Sequence, residues 1–248
     1  MDWWIDYFKE GWEPIQERYK TAEDTWNESG FIAEYMLENE YKSVLDVPCG
    51  SGRISLALAK DRFEVCGLEY NPDAIKKAKE KAKAEKLSID FIVGDMRDMT
   101  FNRSFDMVVC AFNSFGYFSD EDNKRFLQSV SDALQPNGTL LLDCHVLETM
   151  LPVFSPKSHW RIADFLIVED RMYDYTSSRL QGTWTIVKDG KQQSFTSDVR
   201  VYSYNELITL LKSVGFTSFE AYGNYYGDAF ELGDDGLVLL ATKLRVSN

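Results

Sequence analysis

One stretch constrains the fold more than any other: Ser43 to Lys60, SVLDVPCGSGRISLALAK. Its first five residues form an apolar run that ends in Asp46 and Val47, the pattern of a strand buried in a parallel sheet. Pro48 stops the run, and Cys49, Gly50, Ser51 and Gly52 make a tight turn. From Arg53 the apolar Ile54, Leu56, Ala57 and Leu58 continue on a helical period. The order is strand, glycine loop, helix. Two glycines let a ligand approach the backbone closely, and the helix N-terminus offers it unpaired N–H groups. A small ligand is the first expectation; a tight turn with no ligand is the alternative that this stretch alone leaves open.

The chain repeats that unit. Residues 64–70 (EVCGLEY) form a second strand closing on Glu69, and Asn71 and Pro72 open a helix over Ala74–Lys86. Strands are expected at Ser88–Val93, before Gly94 and Asp95, and at Asp106–Phe112, before Asn113, Ser114, Phe115, Gly116 and Tyr117. Ser119 can cap a helix Asp120–Leu134, and a turn at Pro136–Gly138 leads to strand Thr139–Cys144 and His145. Five alternations predict an α/β fold with a doubly wound, mostly parallel sheet. The rhythm breaks over 151–202, where the β-rich runs 160–175, 179–187 and 193–202 predict an inserted antiparallel sheet. Ser203 and Glu206 then have capping-box spacing ahead of a helix Leu207–Val214. Phe216–Tyr222 and Leu237–Leu244 leave no room for a crossover helix between them, so the last strand is expected antiparallel. Ahead of all this, Asp2–Tyr41 reads as two or three helices. Trp3, Trp4, Tyr7, Phe8 and Trp12 crowd the front, Thr25 and Glu28 have capping-box spacing, and Phe31, Ile32, Tyr35 and Met36 form a stripe for the sheet. The expected division is a helical cap at 1–42, a core domain at 43–150 and 203–248, and an inserted β subdomain at 151–202.

Charge narrows the function. With 27 basic and 40 acidic side chains the net charge is −13, which argues against a broad grip on nucleic acid or anionic lipid and favours a small-molecule partner. Cys49, Cys66, Cys110 and Cys144 lack metal-ligand spacing and read as reduced core thiols; no metal is expected. The acidic, aromatic N-terminus does not read as a signal peptide, and no run is long enough to span a membrane, so the expected compartment is the cytoplasm.

In open α/β sheets ligands bind beyond the carboxyl ends of the strands, where strand order reverses. Three successive strand ends here carry Asp46, Glu69 and Asp95. A carboxylate can accept both hydroxyls of a ribose or the exocyclic amine of adenine, and suits a bound phosphate poorly. The site reads as one for an adenosine without phosphates. At this point the chain resembles the class I S-adenosylmethionine-dependent methyltransferases of the small-molecule branch. The resemblance is carried by Asp46–Gly52, Glu69–Pro72, Gly94–Met96, Phe112–Tyr117 and Leu134–Leu140. It implies a seven-stranded Rossmann-like sheet and S-adenosylmethionine as cofactor, with S-adenosylhomocysteine as product. By the same resemblance Gly50 and Gly52 lie against the methionine part, with Asp46 fixing the loop, and Glu69 holds the ribose. Asp95 meets the adenine amine, Met96 and Tyr70 pack on the base, and Phe112 and Asn113 border the methionine moiety. Pro48 stands where the family has its first loop glycine.

Methyl transfer from a sulfonium is an in-line displacement in which positioning dominates and a general base is optional. His145 is the first candidate base and His159 the second. Tyr19, Tyr117 and Trp160 are candidate acceptor contacts, and Arg53 can pair with a substrate carboxylate or in a surface ion pair. The residues leave N- and O-methylation open. They also leave open whether the insertion's Trp160, Arg161, Arg171, Tyr173, Trp184 and Arg200 line a pocket or a homo-oligomer interface. A nicotinamide-dependent oxidoreductase is the competing enzyme reading, because Gly50, Gly52 and Glu69 imitate part of the dinucleotide fingerprint; Ser55 replaces its third glycine. A non-catalytic cofactor-binding protein and a macromolecular methyltransferase are the others. Gly52→Arg is expected to abolish cofactor binding with the fold intact.

Overall fold

The structure is a computed structural model that describes residues 3–12, 15 and 19–243, without the side chains of Glu10 and Trp12. In chain order the elements begin with helix α1 (Trp3–Asp6), a π-helical turn (Tyr7–Trp12) and helix α2 (Ala22–Glu38). The core then runs β1 (Ser43–Asp46), α3 (Arg53–Lys60), β2 (Glu64–Glu69), α4 (Pro72–Ala84), β3 (Asp90–Val93), β4 (Phe105–Cys110), α5 (Asp120–Ala133) and β5 (Leu134–Cys144). After the short α6 (Leu147–Met150) come β6 (Lys157–Ile162), β7 (Phe165–Asp174), β8 (Arg179–Lys188) and β9 (Lys191–Arg200). The chain returns through α7 (Tyr204–Ser213), β10 (Ser218–Tyr222) and β11 (Leu237–Thr242).

The large sheet has the order β10-β11-β5-β4-β1-β2-β3. Only β11 runs against its neighbours, pairing antiparallel with both β5 and β10, as expected of the last strand. Strands here are apolar on both faces because both faces are covered. Leu45, Val108, Cys110, Leu140, Leu142, Leu237 and Leu239 meet α5 and α7 on one side. Their alternates Val44, Met107, Val109, Leu141, Val238 and Leu240 meet α2 and α3 on the other, through Ile32, Met36, Ile54 and Leu58. The order of strands reverses between β1 and β4, and the crevice at that point opens under the glycine loop.

The four-stranded sheet β6-β7-β8-β9 is an antiparallel meander over 157–200. The run 160–175 is two strands, not one: Ile162 pairs with Phe165 around a two-residue turn in which Ala163 has φ 51°. An alanine in a left-handed turn carries no glycine, proline or asparagine signal, so the hairpin was hidden within an apolar run. A second correction falls on α2. Its N-cap is Thr21, whose hydroxyl accepts from Asp24 N while the Asp24 carboxylate accepts from Thr21 N. Thr25 lies one turn inside, and Glu28 is a buried ion-pair partner. The caps at Asn71, Ser119 and Ser203 stand where expected. All four cysteines are buried free thiols. Among the described residues no helix is long and apolar enough to cross a membrane. Asp2, Leu244 and the side chain of Trp12, named in the sequence reading, lie outside the described residues.

Candidate active site

The glycine loop is held from both sides. Asp46 is buried, and its Oδ2 accepts the Ser55 hydroxyl at 2.5 Å and Ser55 N at 3.1 Å. The carboxylate thus ties the end of β1 to the first turn of α3. Burial, opposed by those bonds and by Arg53, pushes its pKa up to about 6. At the end of β2, Glu69 accepts Gly50 N through Oε2 at 3.1 Å and Asn71 N through Oε1 at 2.8 Å. Burial raises its pKa, and the backbone donors hold the rise back.

Beside the loop lies a cavity of about 600 Å³. Pro48, Gly50, Glu69, Tyr70, Asp95, Met96, Phe112 and Asn113 all stand on its wall, as do Tyr19, Tyr117, His145 and Trp160. Asp46 and Gly52 do not. Gly52 caps α3 with φ 86°, and a Cβ there would meet Phe91 and Ala78 at 3.1 and 3.2 Å. That glycine faces the packed core under α4, so Gly52→Arg would disturb the fold, contrary to the expectation from sequence. His159 lies on β6 opposite Val168, exposed and off the cavity wall.

Asp95 is already engaged. Its carboxylate takes a fork from the Arg97 side chain at 2.7–3.1 Å, and Arg97 reaches Asp122 at 3.1 Å. Burial pushes the Asp95 pKa up, but the Arg97 bonds outweigh it and hold the carboxyl below its usual range. The same guanidinium lies 4.5 Å over the Phe118 ring and 5.8 Å over Trp4. Trp4 also meets Tyr70 edge-on at 4.8 Å. The N-terminal segment therefore roofs this end of the cavity: Trp3 packs on Tyr117 at 5.6 Å, and Tyr7 on Trp184 at 5.6 Å.

At the other end Phe112 and Asn113 are consecutive left-handed residues, φ 61° and 55°. Asp143 stabilises that turn, with Oδ2 accepting Phe112 N at 2.9 Å and its carbonyl accepting Asn113 N at 3.1 Å. The Asn113 Oδ1 is buried with no hydrogen-bond partner among the described residues. The Tyr19 ring packs on Phe112 at 5.4 Å, and Lys20 sits 5.0 Å over the same ring. Glu28 pairs with Lys20 at 2.7 Å and with Arg53 at 2.6 Å; Arg53 thus has an internal partner rather than a surface one.

The third wall is the inner face of the inserted sheet. Trp160, Trp184, Glu169, Arg171 and Ser158 line it, and Trp160 meets Trp184 at 5.5 Å. His145 shares this region with Arg171 and Asp235. Its ring is open to the cavity, yet the surrounding protein desolvates it, and this and then Arg171 lower its pKa, against the pull of Asp235. Glu169 and Arg97 were missed in the sequence. Strand alternation carried a signal for the first, since Glu169 shares parity with the buried Phe165 and Ile167. Nothing local marked Arg97.

A crevice at a strand-order reversal, a glycine loop and strand-end carboxylates, with no lysine among the described residues of the cavity wall, define a Rossmann-like nucleoside-cofactor enzyme. Residues 44–138 match the family model described as a methyltransferase domain. The chain is 30% identical over 188 residues to the putative methyltransferase YqeM of Bacillus subtilis, covering 70% of this chain and 72% of that one. It is 25% identical over 234 residues to a glycine/sarcosine N-methyltransferase of Aphanothece halophytica, covering 90% and 83%. Among solved structures, an S-adenosylmethionine-dependent methyltransferase from Clostridium acetobutylicum superposes with TM-score 0.81 at 17% identity, over 94% and 96% of the two chains. The chain belongs to the S-adenosylmethionine-dependent methyltransferases.

Proposed function

We propose that the cavity holds S-adenosylmethionine along the strand ends and a small-molecule acceptor against the inserted sheet, and that the enzyme methylates N or O of that acceptor, releasing S-adenosylhomocysteine. The observation that carries this reading is a single cavity whose one half is lined by Gly50, Glu69, Tyr70 and Asn113 and whose other half is lined by Trp160, Glu169 and Trp184. The residues present fit the cofactor. Asn113 Oδ1 is a buried acceptor lacking a donor, beside the Phe112 turn where the methionine ammonium would lie. Glu69 would face the ribose, and Tyr70, Met96 and Trp4 frame a slot for the base. Asp95, forked to Arg97, retains lone-pair capacity for the adenine amine.

The bound cofactor supplies an electrophilic methyl carbon. The chain's own residues orient the nucleophile, exclude water with the aromatic roof, and take up a proton. His145 is the base on this reading: its lowered pKa keeps the imidazole neutral near pH 7. Of the 1–42 cap, the front with Trp3, Trp4 and Tyr7 acts as the roof; 43–150 and 203–248 act as the cofactor domain, and 151–202 as the acceptor wall. Use of Trp160 and Trp184 in that wall favours the pocket over an interface, leaving the sheet's outer face for any self-association. Relatives named for glycine and sarcosine support a small acceptor, and the acidic chain supports an enzyme of metabolites over one acting on RNA.

Isothermal titration with S-adenosylmethionine, S-adenosylhomocysteine and NADH in parallel tests this reading. Binding of the first two and silence toward NADH are expected; binding of NADH alone would sink it.

A further inference from the structure

We propose that the acceptor is a compact organic amine and that Glu169 of the inserted sheet selects it; this rests on the reading that the cofactor fills the strand-end half of the same cavity. Glu169 is 5% exposed yet lines the cavity. Its Oε2 accepts the Ser158 hydroxyl at 3.1 Å and lies 3.4 Å from Arg171 Nε. Its Oε1 accepts no hydrogen bond from the described residues. Arg171 is an incomplete partner, because the same Nε–H donates to the Ser155 carbonyl at 3.1 Å and the guanidinium leans toward Phe154. A buried carboxylate with half its lone pairs unused and one long, shared counter-charge is under-compensated, and a cationic donor from outside the chain completes it.

The walls agree with that charge. Tyr7, Trp160 and Trp184 surround the carboxylate's side of the cavity, with ring centroids 5.5–5.6 Å apart for Tyr7–Trp184 and Trp160–Trp184. Aromatic faces attract ammonium groups. Arg200, the other cation on this wall, is already paired with Asp120 and Glu206 at 3.1 Å each, which leaves Glu169 and Asp235 against Arg171. A carboxylic acceptor would meet net negative charge. A hydroxyl would leave the Glu169 carboxylate with Arg171 as its one long, shared counter-charge in a site that excludes water. In the transfer, the ammonium first releases one proton to solvent by way of His145. The freed nitrogen lone pair then forms the N–CH3 bond as the C–S pair departs onto sulfur, so one proton and one neutral thioether leave for each methyl gained.

The test compares methyl transfer, read as S-adenosylhomocysteine release, over matched probes: 2-phenylethylamine, 2-phenylethanol and 3-phenylpropionate, then sarcosine, ethanolamine and glycolate. Turnover of at least one amine is expected, with the alcohol and the acid without an amine inactive. For that amine Glu169→Gln should lower kcat/KM at least 100-fold, Glu169→Asp should restore part of it, and the Kd for S-adenosylmethionine should stay within twofold in both. Turnover of 2-phenylethanol or of either carboxylate lacking nitrogen overturns the proposal. So does full amine activity in Glu169→Gln, or an inert set of amines on an enzyme that binds the cofactor. Failure of the wild type to bind S-adenosylmethionine marks the cofactor reading as the one that fell, and this proposal with it. Circular dichroism and thermal melts of both variants separate loss of recognition from loss of fold.

Discussion

Asp143, at the end of β5, accepts the backbone N–H of Phe112 at 2.9 Å and thereby secures two consecutive left-handed residues at the mouth of the cavity. Tyr225 donates its hydroxyl to the same Oδ2 at 3.0 Å. One side chain on the fifth strand thus shapes the loop after the fourth, which sets where Asn113 stands.

Asp143→Ala should leave the half-buried Phe112 N–H without its carboxylate acceptor and cost about 1 kcal/mol or more of stability. Because the turn relaxes, affinity for S-adenosylmethionine should fall as well, whereas Asp143→Asn, which keeps an acceptor, should retain most of it. Denaturant titration and calorimetry on the two variants check this; equal behaviour of Ala and Asn would remove the Phe112 bond from the account.

Glu69→Ala removes the carboxylate that accepts Gly50 N and that we propose holds the ribose hydroxyls. Loss of charge-assisted hydrogen bonds should weaken cofactor binding ~10- to 100-fold. Titration calorimetry reads it directly, and an unchanged Kd contradicts the assignment.

Gly52→Ala should destabilise the fold by ~1–3 kcal/mol, since φ is 86° and the added carbon meets Phe91 and Ala78. The folded fraction should still bind cofactor, because the new methyl points away from the cavity. Abolished binding without a change in melting temperature would return Gly52 to the site wall.

Asp46 has a pH signature. Its folded pKa of about 6 lies above the ordinary 3.8, so the folded state binds the proton more tightly than the unfolded chain. The stability this contributes is full below the unfolded pKa and is lost as pH rises through the folded one. Relative to Asp46→Asn, the wild type should therefore lose on the order of 2–3 kcal/mol between about pH 4 and pH 7. Urea titrations of both proteins across that window test the sign; a wild type that gains on the variant as pH rises refutes it.

His145→Gln should lower kcat at least tenfold while leaving the Kd for S-adenosylmethionine unchanged. In the wild type the acidic limb of kcat/KM should have an apparent pKa below 6.5, the ordinary value, as burial and Arg171 dictate. The limb should vanish in the variant, and a pH–rate profile that keeps it assigns the limb to another group.

Local patterns made the alternating core and its cofactor loop legible. Strand, glycine loop and helix succeed each other within Ser43–Lys60, and caps such as Asn71–Pro72 and Ser203–Glu206 act over three or four residues. The strand-end positions of Glu69 and Asp95 follow from the same periodicity, as does the antiparallel last strand from the missing crossover. Tertiary structure decided what depends on contacts between distant residues. Gly52 and Gly50 are two residues apart in one loop, yet one is turned to the core and the other to the cavity, which no spacing reveals. Arg97 acquires its meaning from Asp122 and from Trp4, Glu28 from Lys20 and Arg53, and Asp143 from the loop of another strand. Glu169 reads as one acid among forty until the inserted sheet folds its inner face over the strand ends. Sequence alone determined the scaffold and the class of cofactor, because hydrophobic period and turn chemistry are local. The cavity wall supplied by the inserted sheet needed the fold, because burial and unmet hydrogen bonds exist only once separate segments enclose a common space.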